Sequence, residues 1–223
     1  MVIARILEPE VMDDPAEAIA YDAMDFSDVN QDFANVVVAT YPQPTATVLD
    51  LGTGTARIPI FVAEQRPQWQ IIAADLAPSM LAVGQKNVDA AGFTSQIQLQ
   101  LADSKDLRFG DRYFDVIMSN SLIHHLPDPL PCFQEMRRLL KPGGAIILRD
   151  LFRPTSVAKI DKIIAGVDDA DFDAHQLKLF RDSLFAAFTI DEIQAIANQT
   201  GLATANVEQT SERHWTLIFV DEQ

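Results

Sequence analysis

The stretch Thr47-Val-Leu-Asp-Leu-Gly-Thr-Gly-Thr-Ala-Arg-Ile58 decides the fold of this 223-residue chain. Residues 48–51 predict a short buried strand, and the glycines at 52 and 54 predict a turn into a helix with one apolar face. A strand that ends in glycines before a helix leaves bare backbone and a helix N-terminus at the carboxyl edge of a sheet. A ligand can approach the main chain there, since glycine has no Cβ. The same pattern also fits a plain strand–turn–helix, so the rest of the chain must decide between the two.

The composition predicts a soluble globular protein. Apolar residues make up 48% and charged residues 22% of the chain, and 223 residues suffice for one sizeable α/β domain. The formal net charge of −15 repels polyanions, so we expect no nucleic-acid partner and no binding to an anionic membrane surface. Cys132 is the only cysteine, which excludes an intrachain disulfide and a zinc site built from thiolates.

The sequence shows no targeting or membrane-spanning segment. No apolar run approaches the length of about 20 residues that a membrane helix needs. The apolar start, Met1 to Leu7, contains Arg5 and runs directly into Glu8-Pro9-Glu10, so it is too short for the core of a signal peptide. We therefore expect a cytoplasmic protein.

Strands and helices alternate after the paired prolines at 42 and 44. Helical patterns separate the apolar runs, which predicts parallel strands joined by right-handed crossovers. The predicted strands are 48–51, 71–74, 97–101, 114–119 and 145–148, and two further apolar runs, 203–207 and 215–220, close the chain. The sequence Pro142-Gly143-Gly144 predicts a turn before the fifth strand.

The regular alternation lapses between Pro154 and Phe188. This region contains a helical pattern near 157–164 and an acidic run at 168–173, and it is too long for an ordinary connection between a helix and a strand. Two interpretations stay open: a mobile lid and a packed helical insert without a gating role. Thr189-Ile190-Asp191-Glu192 then has the form of a capping box and starts a helix that ends at Gly201.

Polar residues follow the predicted strands at their carboxyl ends, where doubly wound folds bind ligands. These residues are Asp50, Asp75, Asp103 and Asn120. Asp75 stands about 20 residues past the glycine turn, the position from which a carboxylate accepts hydrogen bonds from both ribose hydroxyls of an adenosine ligand. Arg57 occupies the place of the third glycine of a dinucleotide fingerprint. The acidic edge disfavours a pyrophosphate and favours a cationic ligand such as S-adenosylmethionine, which carries a sulfonium and an ammonium.

Several motifs in order resemble the class I S-adenosylmethionine-dependent methyltransferases, and among them the small-molecule group that includes the ubiquinone/menaquinone-biosynthesis C-methyltransferases. The matching segments are Val-Leu-Asp-Leu-Gly-Thr-Gly-Thr (48–55), Ala-Asp-Leu-Ala-Pro-Ser-Met-Leu (74–81), Leu-Ala-Asp-Ser (101–104), Tyr-Phe-Asp-Val-Ile-Met-Ser-Asn-Ser-Leu-Ile-His-His-Leu (113–126) and Leu-Leu-Lys-Pro-Gly-Gly (139–144). The resemblance implies a doubly wound, mostly parallel seven-stranded α/β sheet. It also implies an antiparallel last strand, helices on both faces and a helical insert after the fifth strand.

The same resemblance implies which residues bind the cofactor. The glycine turn would line the methionine part, Asp50 would support its ammonium, Asp75 would hold the ribose, and Asp103 with Ser104 would read the adenine edge. The full set implied is Asp50, Gly52, Thr53, Gly54, Asp75, Leu76, Met80, Asp103, Ser104 and Asn120.

The acceptor end is less clearly marked. His125 and Tyr21 are candidate catalytic residues, and His124, Arg149 and Arg153 are candidates for binding the acceptor. The alternatives are packed or capping histidines and arginines paired with carboxylates. We expect no metal, because the four histidines lack metal-motif spacing with carboxylates.

The sequence thus predicts a single methyltransferase domain over residues 1–223. Its parts would be a helical cap (1–44), a cofactor-binding core (45–150), a helical insert or lid (151–188), and a C-terminal helix with strands (189–223). We expect methyl transfer from S-adenosylmethionine to the carbon, oxygen or nitrogen of a small-molecule acceptor, releasing S-adenosylhomocysteine, by a monomer or homodimer. A non-catalytic S-adenosylmethionine-binding protein and an NAD(P)-dependent oxidoreductase are the alternatives.

Overall fold

The computed structural model describes residues 3–11, 13–167 and 173–222, and these residues form one sheet of seven strands. The acidic run expected at 168–173 lies outside the described residues except for Asp173. The strands are β1 Ala46–Leu51, β2 Trp69–Asp75, β3 Ile97–Leu101, β4 Phe114–Asn120, β5 Leu140–Leu151, β6 Asn206–Gln209 and β7 His214–Val220.

The strand order is β3-β2-β1-β4-β5-β7-β6. Neighbours among β1 to β5 pair in parallel, whereas β7 pairs antiparallel with both β5 and β6. The doubly wound, mostly parallel sheet with an antiparallel last strand is therefore confirmed. The order reverses between β1 and β4, and such a switch point opens a crevice at the carboxyl ends of the strands.

Helices cover both faces of the sheet. They are α1 Pro15–Asp22, α2 Ser27–Thr40, α3 Arg57–Gln65, α4 Pro78–Ala91, α5 Leu130–Leu139, α6 Val157–Ala165, α7 Ala174–Ala186 and α8 Ile190–Gln199, with a short 3-10 helix at Ile123–His125. Because strand side chains alternate between faces, Val48 packs with α2, α3 and α4, whereas Leu49 packs with α5 and α8.

Local sequence signals explain several helix boundaries. Helix α4 has Pro78 in its first turn and ends at Gly92, whose φ of 80° is left-handed. Helix α8 begins with the predicted capping box: the Glu192 amide donates to Thr189 Oγ1 at 3.3 Å, and the Thr189 amide donates to Glu192 Oε2 at 2.9 Å.

Two local predictions differ from the structure. The turn expected at 142–144 lies within β5, as a bulge: Phe114 pairs with Leu140 but Val116 pairs with Ala145. The strand expected at 203–207 begins later, at Asn206, because residues 202–205 form a turn in which the Ala205 amide donates to the Leu202 carbonyl at 2.9 Å.

Residues 3–11 lie against the insert and the loop after β4. The Ile6 amide donates to the Phe185 carbonyl at 3.1 Å. The Arg5 guanidinium donates to the carbonyls of His124, Leu126, Pro127 and Ala186 and stacks 3.8 Å from the centre of the Phe188 ring. These bonds fix the path of residues 3–11 across the open end of the sheet.

Among the described residues, none of the helices combines the length and the apolar character required to cross a bilayer.

The bulge in β5 generates a stability prediction. Gly144→Ala should lower the free energy of unfolding by about 1–3 kcal/mol. The reason is steric: an added Cβ would lie 2.7 Å from the Asp115 carbonyl oxygen and 2.9 Å from that of Lys141, and both are backbone atoms. Urea titration followed by circular dichroism measures the change. Gly110→Ala is the control, because its Cβ would meet nothing within 4 Å. Equal unfolding curves for both variants would contradict the predicted crowding.

Candidate functional site

A cavity of about 890 Å³ opens at the carboxyl ends of β1, β2 and β4. The glycine turn after β1 forms its floor, and residues from α1, α2 and the loop before β7 line its sides. Helix α7 contributes Gln176, Leu179, Phe180 and Ser183 to the lining. The volume lies near the upper end of the range of about 300–1,000 Å³ that small-molecule sites occupy.

The glycine turn is held by β2. The amides of Gly52 and Thr53 both donate to the Ala74 carbonyl, at 2.9 and 3.0 Å. Gly52 and Gly54 have left-handed φ angles of 69° and 54°, which favour glycine. A Cβ on Gly54 would meet only the Tyr21 ring, at 3.9 Å, so the turn leaves space on its cavity side.

Asp75, at the end of β2, ties two loops together. Its Oδ2 accepts a hydrogen bond from the Gly54 amide at 2.7 Å, and its Oδ1 accepts one from the Ala77 amide at 2.9 Å. Burial nevertheless raises the pKa of Asp75 above its usual range. Each carboxylate oxygen has a second lone pair, so Asp75 can accept further hydrogen bonds from a ligand in the cavity.

Asp50 lies deeper, at 2% exposure, and still lines the cavity. Burial, together with the nearby Asp75 carboxylate, raises the pKa of Asp50 to about 7. A bound cation next to Asp50 would favour its charged form, so this position suits a positively charged group.

The predicted adenine end contains an unexpected ion pair. Asp103 Oδ1 accepts from the Lys105 amide at 2.9 Å and lies 3.1 Å from Lys105 Nζ, which also pairs with Glu10. Ser104 is buried beside Asp103, and Leu76 is 39% exposed at the cavity wall. Asp103 therefore lies where the sequence predicts, but Lys105 partly neutralises its charge.

The remaining predicted cofactor residues also line the cavity. Met80, on α4, is buried beneath the turn that follows β2, and Asn120 ends β4. The Asn120 side-chain amide donates to Ser121 Oγ at 3.3 Å. The sequence pattern thus brings all ten predicted cofactor residues to one cavity.

The two histidines after β4 differ sharply in environment. His124 is buried, and its Nδ1 lies 2.5 Å from Asp150 Oδ1 at the end of β5. Burial disfavours charge on His124, but Asp150 outweighs that effect and raises the pKa of His124. Asp150 Oδ2 also accepts from the Ile123 amide, at 2.5 Å, so Asp150 fixes the whole loop.

His125 is a weak base in this environment. Burial, followed by the neighbouring His124, lowers the pKa of His125 to about 3. A general base works best when its pKa lies near the operating pH, so the structure does not favour the predicted role of His125. Desolvation within the cavity, followed by the Asp75 carboxylate, raises the pKa of Tyr21, so its hydroxyl stays protonated. Tyr21 lies against the glycine turn, not at the acceptor end.

The two candidate arginines occupy different places. Arg149 lines the cavity and bonds Asp32 Oδ2 at 3.1 Å. Arg153 is buried outside the cavity lining, where it donates to the Ala187 carbonyl at 3.0 Å and pairs with Glu192 Oε1 at 2.5 Å. The structure therefore does not support Arg153 as an acceptor-binding residue; it holds the insert to α8.

Sequence reasoning missed two acidic residues near the site. Asp22 pairs with Arg57 through two hydrogen bonds of 2.9 and 2.7 Å, which fastens α1 over the glycine turn. Glu8 lies beside both histidines, with its Oε1 3.4 Å from His124 Nε2 and 3.1 Å from His125 Nδ1. More than a hundred residues separate Glu8 from the histidines, so no local spacing could have indicated this contact.

Comparisons with known proteins agree with this geometry. Residues 48–144 match the methyltransferase domain family. The chain is 25% identical over 205 residues to an arsenite methyltransferase of Halobacterium salinarum, covering 88% of this chain and 49% of that protein. It is 33% identical over 114 residues to a demethylmenaquinone methyltransferase of Desulfitobacterium hafniense, covering 51% and 45%. The chain spans about half the length of these curated relatives.

The fold is also found among solved structures. A candidate S-adenosylmethionine-dependent methyltransferase from Methanococcus maripaludis superposes with a TM-score of 0.74 at 20% identity, covering 98% of both chains. This likeness concerns the fold, whereas the matched residues 48–144 contain the glycine turn, Asp75 and Asp103. The domain match over residues 48–144, these relatives and the shared fold support the predicted resemblance to the class I S-adenosylmethionine-dependent methyltransferases.

Proposed function

We propose that this protein binds S-adenosylmethionine at the carboxyl edge of β1 and β2 and transfers its methyl group to a small-molecule acceptor. The observation that carries the proposal is the pair of hydrogen bonds from Gly54 and Ala77 to Asp75, which holds this carboxylate beside the glycine turn in the cavity lining. The family match covers 48–144 and the relatives extend beyond this chain, so the activity is our inference.

The residues at this edge of the sheet fit S-adenosylmethionine. Asp75 offers lone pairs to ribose hydroxyls, and the buried Asp50 offers an anionic partner to an ammonium. Leu76 presents an exposed apolar surface to a flat base. Arg57 stands at the position where a dinucleotide fingerprint has its third glycine, and its guanidinium pairs with Asp22. This arrangement favours neither a pyrophosphate ligand nor an NAD(P)-dependent oxidoreductase.

When bound, S-adenosylmethionine supplies a methyl carbon that its sulfonium has already activated. The residues of this chain then have to align the acceptor and exclude water. Helix α1 covers the glycine turn through the Asp22–Arg57 pair, and α7 with residues 3–11 covers the other end. Neither His125 nor His214, whose pKa burial lowers to about 4, is a strong base. The site therefore favours an acceptor that needs little help in losing its proton.

We also propose that the chain works as a single domain with the boundaries predicted above. The cap (1–44) and the insert (151–188) both contribute cavity residues, including Tyr21 and Phe180, and the core (45–150) contributes the cofactor edge. A covered cavity suits a small acceptor. A net charge of −15 supports the expected absence of a nucleic-acid partner. A cytoplasmic location and a monomeric or homodimeric state remain predictions.

Calorimetric titration with S-adenosylmethionine, S-adenosylhomocysteine and NADH tests the proposal, followed by an assay for S-adenosylhomocysteine release across a panel of small acceptors. Binding of the first two ligands together with turnover supports a methyltransferase. Binding without turnover on any acceptor would favour a non-catalytic binding protein. Binding of NADH alone would contradict the proposal.

Asp75→Asn should weaken S-adenosylmethionine binding at least tenfold. The variant loses the hydrogen bonds that the ribose hydroxyls would donate to the charged Asp75 carboxylate, each of which contributes about 1.5–3 kcal/mol. Calorimetry measures the affinity, and circular dichroism checks the fold. The matched control is Asp106→Asn, an exposed residue outside the cavity lining. Equal affinity in a folded Asp75→Asn protein would show that Asp75 does not hold the ribose.

The raised pKa of Asp50 predicts a pH dependence. Asp50 is protonated below a pH of about 7, so it offers no charge to an ammonium there. Affinity for S-adenosylmethionine should rise several-fold between about pH 6 and 7.5 as Asp50 ionises. In the Asp50→Asn variant the ammonium of the ligand titrates as before, but the carboxylate is absent. The affinity of this variant for S-adenosylmethionine should therefore stay constant or fall over this range. Parallel curves for the two proteins would count against an Asp50–ammonium contact.

A further inference from the structure

Three side chains at the acceptor end of the cavity have potential metal-ligating atoms that lie close together. They are Glu8 from the N-terminal residues and His124 and His125 from the loop after β4. One potential ligand atom from each of the three residues lies within 4.8 Å of those of the other two. We propose that these three residues form a binding site for a divalent transition-metal ion.

The distances suit coordination. Two atoms bound to one ion at about 2.1 Å lie roughly 3.0 Å apart at an octahedral angle and about 3.4 Å apart at a tetrahedral one. Glu8 Oε1 lies 3.1 Å from His125 Nδ1 and 3.4 Å from His124 Nε2. Both separations fall within that range, so one ion could bind all three atoms with small adjustments of the side chains.

Hydrogen bonding within the cluster does not explain its arrangement. The Glu8 side chain is only 9% exposed, yet its Oε1 has no hydrogen-bond partner of good geometry among the described residues. His125 Nδ1 likewise has none there. The other carboxylate oxygen, Oε2, accepts from Ser183 Oγ at 3.0 Å, which leaves Oε1 facing the imidazoles. A buried polar atom without a partner is costly, and a cation at this point would satisfy it.

Asp150 contacts the His124 ring on the side opposite Glu8. Its Oδ1 lies 2.5 Å from His124 Nδ1, on the side of the ring away from Glu8. Metal-bound histidines usually donate their other ring N–H to a carboxylate, which fixes the tautomer and directs the free lone pair at the ion. If His124 donates Nδ1–H to Asp150, its Nε2 faces Glu8 Oε1. A bound ion would replace any proton on Nε2, because a metal-ligating imidazole uses the lone pair of that nitrogen.

The donor set indicates the class of ion. Two imidazoles and one carboxylate, with no thiolate, suit zinc, manganese, iron, cobalt or nickel as divalent ions. The Glu8 and Asp150 carboxylates lie near the Arg5 guanidinium, and together they leave one net negative charge at the site. His124 and His125 line the cavity, so coordination positions not filled by protein would face the acceptor. The site is separate from Asp50 and Asp75.

Cobalt titration of the tag-free, chelator-treated full chain tests the proposal without any methyl-transfer assay. Co²⁺ bound by nitrogen and oxygen ligands gives visible absorption bands, and Zn²⁺ should displace it. We expect one Co²⁺ per chain in the unmodified protein. Glu8→Gln and His125→Ala should each weaken binding by about 100-fold, since second-shell changes alone cost 10–100-fold.

Two controls make the outcome decisive. His175→Ala should bind Co²⁺ as the unmodified protein does, because His175 forms an exposed histidine–glutamate pair, 3.5 Å from Glu17, outside the cluster. Glu8→Gln keeps the size of the side chain, so a loss of binding in a variant with unchanged circular dichroism cannot arise from unfolding. Absence of a visible band, or a band that Glu8→Gln and His125→Ala leave unchanged, would overturn the proposal. In either case S-adenosylmethionine binding tests the proposed function independently.

Discussion

The Asp75 carboxylate is the contact on which the rest of the site depends. One oxygen holds the turn after β1 through the Gly54 amide, and the other holds the start of α4 through the Ala77 amide. These two loops belong to different crossovers, so a single side chain joins the loops that follow β1 and β2. Burial disfavours its charge and raises its pKa, and the two amides offset part of that cost. The scaffold thereby holds carboxylate oxygens where a ligand with hydroxyl groups would need them.

A second carboxylate, Asp150, organises the opposite end of the cavity. It binds the Ile123 amide and the His124 ring, and so shapes the loop that follows β4. The two ends of the cavity differ in construction. Backbone amides surround Asp75, whereas the loop held by Asp150 presents two imidazoles and is contacted by residues 3–11. This difference matches the proposed division between a cofactor end held largely by backbone amides and an acceptor end built largely from side chains.

The predicted cofactor residues all line one cavity, and the sequence signals that indicated them are local. Glycines at a strand end, Asp75 about 20 residues further on, and alternating strands and helices each depend on residues close in the chain. The acceptor half depends on distant contacts. Glu8 reaches His125, and Arg153 pairs with Glu192 away from the cavity, and neither contact leaves a periodic or spacing signal. The strand predicted at 203–207 begins only at Asn206, since a short turn at 202–205 precedes it and apolar patterning alone does not distinguish the two.

The hydrogen bonds of Arg5 have an evolutionary consequence. Arg5 fastens residues 3–11 to four backbone carbonyls, which do not depend on which side chains accompany them. The segment lies outside the matched residues 48–144. The other side chains of residues 3–11 can therefore change while the path of the segment is preserved and the turn after β1 is untouched.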